Sequence, residues 1–487
     1  MIDENRSAVA RNSFVYAIAF VVGRAYIFVM LPILTTNLNS DEFGLYIIFV
    51  QIVTFMQMLS VALFGQALLR LHVDFEGDEK KRFIGTMLLA AVLFSLIIAF
   101  VVYKWQLFIF TNLYPNITSP IKDYFFIACL WSIAVSIRAV AMTFLKGLEK
   151  PKTILFQNFL YGFLLITTLL IVVGHFQRGL LGVMESLLIA ETLAQIVLAF
   201  YLRKHITLKP RVRYLQKAIK FSWPLLPGSL AMLIYSNLDR IILSQFVSLS
   251  EVGMYGFGLM LGNIAALAVS SYISSYSPRL INIVKDNDPG TISKLASQLM
   301  IDNIKFVAPI IGVLFLISSI LAALLGGSNN FENASIIICG IAVGHLVRSV
   351  FLFYSNGLFL YSKSMAILGL NITLLAIGAI IMYLLAKHTG IYGMALATAI
   401  AYFIMIPIGK YVSNAWIEIM LPTKEIVITL LVICSLSIGE LIILLYSFRI
   451  SNYEYWIIKL VEFGIVLGAW GPIIYKLYRQ YSTKKEA

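Results

Sequence analysis

The stretches SFVYAIAFVVGRAYIFVMLPIL, GTMLLAAVLFSLIIAFVVY and IVITLLVICSLSIGELIILLY are each about twenty residues long and almost wholly apolar, and the chain holds many more like them. About twenty such residues in a helix cross a hydrocarbon layer of ~30 Å. Inside lipid the backbone must satisfy its own N–H and C=O groups, so runs of this length are helices. Charge supports the same reading. Only 13% of the 487 residues are charged, against roughly 25% in a soluble domain. Apolar runs near 13–36, 44–70, 83–103, 123–145, 153–174, 180–202, 221–246, 253–276, 304–325, 334–360, 364–386, 390–412, 425–447 and 456–478 predict an all-α polytopic membrane protein with fourteen transmembrane helices.

Cys129, Cys339 and Cys434 all lie within such runs and have no CxxC or Cys/His spacing, so they read as small apolar residues with no disulfide or metal site. The polar start MIDENRSAVARNSF reads as a cytoplasmic lead into the first helix, not a cleavable signal. Lysine and arginine placement sets the orientation. With the N-terminus inside, most basic residues, including Lys80, Lys81, Arg82 and the stretch RKHITLKPRVRYLQKAIK, are cytoplasmic. Lys104, Lys122, Arg178, Lys387, Arg449 and Lys459 are outside. Both termini are then cytoplasmic. The net charge of +13 belongs to this topology and to anionic lipid heads, not to nucleic acid.

The phrase DEFGLY at Asp41–Tyr46 returns as SEVGMY at Ser250–Tyr255, 209 positions later. Arg70 returns as Arg279 at 209, and CLWSIAVSIRAV as CGIAVGHLVRSV at 210, which pairs Arg138 with Arg348. Gly147 recurs as Gly357, and GLLG at Gly179 as GIYG at Gly390, 211 on. Matches in order with so little drift mark a duplication. Residues 1–202 form a six-helix lobe, 203–220 a basic cytoplasmic linker, 221–413 a second six-helix lobe, and 414–487 an appended helix pair with a tail. An even helix count per half inserts both the same way up, related by an axis along the membrane normal, with the expected pathway between the bundles.

Six arginines stand out: Arg24, Arg70, Arg138, Arg240, Arg279 and Arg348. A guanidinium at the bilayer centre costs at least ~2.5–3.5 kcal/mol, so it faces a wet cavity or a partner. Its planar fork suits an oxyanion with several acceptors, and a phosphate or diphosphate headgroup is the inferred cargo. For Arg70 and Arg279 the plainer reading is snorkelling to the interface, and for the deeper arginines a structural ion pair. Asp239 precedes Arg240, and because adjacent positions do not share a helix face it is expected to pair across helices. His345, three residues before Arg348, is a candidate for proton coupling, or a satisfied interior histidine. Glu191 with Gln195, and Glu440, are further buried-acid candidates. Pro224 and Pro227 in FSWPLLPGSL are expected to bend the first helix of the second half, as a gate or as a fixed kink.

An arginine ahead of LPIL, then LTTNLNSDEFGLY, then SNLDRIILSQFVSLSEVGMYGFG resembles Wzx-type flippases, the polysaccharide-transporter branch of the multidrug/oligosaccharidyl-lipid/polysaccharide (MOP) superfamily. The resemblance covers about residues 10–412. It implies two MATE-like six-helix lobes and a cationic cavity. It also implies translocation of undecaprenyl-diphosphate-linked oligosaccharide, as in O-antigen or capsule assembly, across the bacterial inner membrane, alongside glycan polymerase machinery. Arg24 matches the basic residue of the family's first helix, and Arg240 falls in its LDR stretch. The appended pair resembles that of MurJ-type lipid II flippases, which keeps that branch open. A MATE-type drug exporter should line its cavity with acids. A polymerase or ligase needs a large outer loop that is missing here, and no P-loop is present, so no enzyme and no cofactor is expected. Coupling to protons, sodium or the membrane potential is left open.

A diphosphate carries about two negative charges, so outward movement with an inside-negative potential of 100 mV gains roughly 4–5 kcal/mol. If arginines neutralise the cargo, the voltage acts on return of the empty carrier instead. Collapsing the potential across reconstituted vesicles should slow flipping; an unchanged rate would remove the electrical contribution.

Overall fold

The computed structural model describes residues 23–420 apart from 24, 116–121, 149, 274–288, 328–330 and 362, with scattered positions between 429 and 468. Arg24, Arg279, Glu440 and most of the appended helix pair therefore lie outside the described residues. Every regular element among the described residues is a helix. In chain order these are α1 (Ala25–Asn37), α2 (Ser40–Asp74) and α3 (Gly77–Lys104), followed by α4 (Gln106–Leu113), α5 (Lys122–Gly147) and α6 (Pro151–Leu169). Next come α7 (Gly179–Leu202), α8 (Val212–Ser222), α9 (Leu226–Leu243) and α10 (Leu249–Gly262). Last are α11 (Pro289–Leu325), α12 (Ala334–Leu360) and α13 (Ser364–Asn414). Nine helices among the described residues are long and apolar enough to cross a membrane. The 51 residues of α13 would run ~77 Å if straight, enough for two crossings. They are broken at Gly390, whose φ of 58° and ψ of −137° leave the helix.

The chain divides into two compact units, residues 1–253 with 327–329, and residues 254–326 with 330–487. The sequence repeat turns over near residue 220, whereas packing turns over after Gly253. The physical reason is that α9 is bound to the first unit by hydrogen bonds: Gln51 Nε2 donates to the Asn237 carbonyl, and Ser244 Oγ donates to the Leu113 carbonyl at 3.3 Å.

The single helix expected over 221–246 is two. Residues Trp223–Leu225 form a 3-10 turn between α8 and α9. Pro224 lies in that turn and Pro227 in the first turn of α9. Both occupy positions whose missing N–H leaves no helical bond unmade. The basic linker itself carries α8, which buries Tyr214, Ala218 and Ser222 and turns its lysines outward. Tyr214 meets Phe75 and Phe83 edge-on, at 5.2 and 5.9 Å between ring centroids. Lys217 Nζ lies 2.9 Å from Asp74 Oδ2. Within α2 a wider π turn at Val61–Gly65 disturbs the regular ladder, and Ser222 Oγ donates to the Leu63 carbonyl at 2.7 Å.

The echoed phrases have a shared physical content. Asn39 caps α2 by accepting from Glu42 N at 2.8 Å, and Glu42 Oε2 accepts in return from Asn39 N at 3.0 Å. Ser248 and Glu251 repeat this at α10, with Ser248 N donating to Glu251 Oε2 at 2.9 Å. The echoed tyrosines Tyr46 and Tyr255 are both buried. The echoed glycines pack on each other: a Cβ on Gly253 would stand 2.8 Å from the Ser40 carbonyl oxygen and 3.0 Å from Gly44 N. Gly179 and Gly390 are likewise both left-handed, with φ of 55° and 58°.

In the second unit Phe257 stacks on Phe331 at 4.9 Å, and Gly258, Gly262 and Gly340 let helices approach closely. Phe100, Phe159, Phe163 and Phe200 stand on the outside of the first unit, each about three-fifths exposed. Large aromatic side chains displayed in this way suit a lipid-facing wall. A Cβ at Gly44 would stand 2.1 Å from the Leu249 carbonyl oxygen. Gly44→Ala should therefore cost about 1–3 kcal/mol through overpacking and lower the thermal midpoint in detergent. Gly369→Ala, which meets nothing within 4 Å, should not lower it.

Candidate functional site

Among the described residues of the first unit, Arg138 and Glu191 form a buried, hydrogen-bonded ion pair. Arg138 on α5 projects toward α7, where its Nε lies 2.5 Å from Glu191 Oε1. Glu191 is only 1% exposed and Arg138 17%, so water does little to screen them. The guanidinium also lies over the Tyr161 ring at 4.4 Å, and Tyr26 meets that ring edge-on at 5.6 Å. Gln195, one turn beyond Glu191, donates to the Ala134 carbonyl at 2.6 Å and so ties α7 to α5. Arg138 is thus neutralised by a carboxylate and covered by an aromatic ring.

Arg240 on α9 differs. Its Nε lies 3.6 Å from Asp239 Oδ1, which accepts from the Arg240 backbone N–H at 2.9 Å. The acid and base that sequence reasoning set on separate faces are close because the short Asp side chain folds back on its own backbone. At 3.6 Å this is an ion pair without a hydrogen bond, and Arg240 Nε is buried with no hydrogen-bond partner. Arg70 is 62% exposed and lies 3.3 Å from Asp74, the carboxylate that also holds Lys217. It is a surface residue at the end of its helix.

In the second unit Arg348 and His345 share a face of α12. His345 Nε2 lies 2.9 Å from Asn263 Oδ1, at the turn that ends α10, and His345 Nδ1 is buried without a hydrogen-bond partner. Arg348 lies near enough to Tyr402 on α13 to interact with it electrostatically, its Nε is buried with no hydrogen-bond partner, and no described carboxylate pairs with it. Beside it, Ser349 accepts from Asn303 Nδ2 at 2.8 Å, and Asn303 Oδ1 is left without a partner. The groups described around Arg348 here, Tyr402, His345, Asn303 and Ser349, carry no carboxylate. Among the described residues no three His, Cys, Asp or Glu side chains converge to hold a metal ion.

Sequence reasoning located the arginines through the cost of burying them, and missed Tyr161, Asn263, Asn303 and Tyr402. The signal for Tyr402 was available: at the interval of 211 that relates Gly179 to Gly390, it stands where the first half has Glu191. Removing one member of a buried pair strands the other charge, which costs about 3–5 kcal/mol. Glu191→Leu should therefore lower the thermal midpoint in detergent more than the Arg138→Leu/Glu191→Leu double variant does. Equal losses would mean the pair carries no coupling.

Residues 9–284 match the polysaccharide biosynthesis protein family. No curated protein matches the chain. Among solved structures, the inward-closed lipid II flippase MurJ is similar with a TM-score of 0.74 and 14% identity, over 96% of this chain and 99% of that one. An inward-facing multidrug-resistance MATE family transporter of the MOP superfamily is similar with a TM-score of 0.59 and 12% identity, over 83% and 95%. A MOP-superfamily transporter from Pyrococcus furiosus, described by the reverse polarity of its binding pocket, gives 0.55 and 16%, over 84% and 96%. At these identities the likeness is one of fold, and the family match covers more than half of the chain. The chain therefore belongs to the polysaccharide biosynthesis protein family and is a multi-pass membrane protein with the MOP-superfamily transporter fold.

Proposed function

We propose that the protein is a flippase for lipid-linked oligosaccharide. It moves polyprenyl-diphosphate-linked glycan units from the cytoplasmic to the outer leaflet of the bacterial inner membrane, with both of its termini cytoplasmic. The observation that carries this reading is a half-buried guanidinium, Arg348, set in an apolar lobe with no pairing carboxylate among the described residues. A cation kept there against its desolvation cost suits an anionic cargo. Arg240, whose buried Nε makes no hydrogen bond, is a separate cation of the first unit that suits an anionic cargo. Arg24 and Arg279 complete the proposed set on the strength of the sequence.

A cationic drug would instead need a bare interior acid. The buried acids described in the first unit, Glu191 and Asp239, each lie against an arginine. That favours glycolipid over drug export, and leaves lipid II as an alternative cargo of the same headgroup chemistry.

The test is reconstitution of the full chain in vesicles with a fluorescent polyprenyl-diphosphate disaccharide in one arm and a cationic dye in the other. Translocation of the glycolipid, reduced at least tenfold in an Arg240→Gln/Arg348→Gln variant, is the expected result. Transport of the dye but not the glycolipid would overturn the proposal in favour of drug export.

A further inference from the structure

The duplication supplies an internal control. At the intervals of 210 and 211 already found, Arg138 corresponds to Arg348 and Glu191 to Tyr402. The neighbourhood is kept in both halves: Arg138 bonds to Glu191 on α7, and Arg348 lies near Tyr402 on α13, with its Nε buried and unpartnered. One position has changed from a carboxylate to a phenol, and with it the charge of the pair. The first is a closed, neutral pair; the second has no carboxylate among the described residues.

Neighbouring positions have changed as well. Val135 corresponds to His345, and Ala139 to Ser349, at the interval of 210. Thr54 corresponds to Asn263 at 209. Ser132 and Ser136 in turn correspond to Ala342 and Leu346, so the acid is exchanged for a phenol while neutral polar groups are redistributed around the same arginine. His345 is joined to Asn263 and Ser349 to Asn303, both across helices, so these groups belong to the lobe's own packing. The unpartnered Arg348 Nε and His345 Nδ1 are hydrogen-bonding capacity that this packing leaves unused. A neutral phenol can orient a guanidinium without quenching it, and a charged guanidinium with free donors is what a phosphate-type oxyanion requires.

We infer that the two copies of the duplicated arginine have divided their work. Arg348 anchors the phosphate-type group of the cargo within the second lobe, held in place by Tyr402, while the Arg138–Glu191 pair is a neutral strut that fixes α5 to α7. This rests on the anionic cargo proposed above and goes further, because it assigns the anion to one lobe and names the residue that keeps the site charged.

The test is equilibrium binding of radiolabelled farnesyl diphosphate to the full chain in lipid nanodiscs. Farnesol competes in one arm and inorganic diphosphate in another, which separates a lipid headgroup from a free anion. Tyr402→Glu rebuilds the first-lobe pair in the second lobe, and Tyr402→Gln changes size similarly without adding charge. Tyr402→Glu should bind at least tenfold more weakly than Tyr402→Gln, and Arg348→Gln should fall with Tyr402→Glu. The Arg138→Gln/Glu191→Gln double variant should lose less affinity than Arg348→Gln. Thermal midpoints measured alongside separate lost charge from lost folding. If the unaltered chain binds farnesyl diphosphate but Tyr402→Glu matches Tyr402→Gln, the division of work is wrong and the cargo reading stands. If the double variant loses as much as Arg348→Gln, the strut assignment is wrong. If the unaltered chain binds neither diphosphate, both this assignment and the anionic cargo are overturned.

Discussion

A guanidinium taken out of water must find something to replace its hydration, and the interior of this protein is organised around that requirement. Desolvation makes each buried arginine costly enough that its surroundings are specified. Arg138 has a carboxylate and an aromatic face. Arg240 has the acid that precedes it in the chain. Arg348 has a phenol and neutral polar groups beside it, with no carboxylate among the described residues. The same side chain meets three environments, and what differs is how much of its charge is left over.

The scaffold that holds these arginines is built from duplicated joints. The capping boxes at Asn39/Glu42 and Ser248/Glu251 start matching helices, and the glycines Gly44 and Gly253 within them allow a backbone approach that any Cβ would block. The left-handed glycines Gly179 and Gly390 turn the chain at matching places. Short motifs return after some 210 residues because each performs a backbone task that few residue types can perform. Between these joints the halves were free to diverge, and the exchange of Glu191 for Tyr402 is such a divergence.

Much of the fold was legible in the sequence, because long apolar runs, caps and glycine turns act locally. The break at Trp223–Leu225 was harder to read: apolar residues run through it, and the two prolines signal a helix start as readily as a kink. Helix α8 was hidden for another reason. Its buried Tyr214, Ala218 and Ser222 fall four apart among lysines and arginines, a helical period that a reading based on charge alone passes over. At the site, the arginines were visible through their cost. Their partners were not, since Glu191 lies 53 positions from Arg138, and Asn263 lies 82 from His345.

By itself the sequence determined that this is a membrane protein of apolar helices, that short motifs recur in order some 210 residues apart, and that several arginines lie in apolar runs. Those conclusions follow from desolvation and from backbone hydrogen bonding, which depend on residues near one another in the chain. The tertiary structure alone decided which acid pairs with which arginine, which buried arginine has no described carboxylate beside it, and that α9 packs with the first unit. These depend on how helices are rotated and set against each other, and that arrangement results from all of their contacts together.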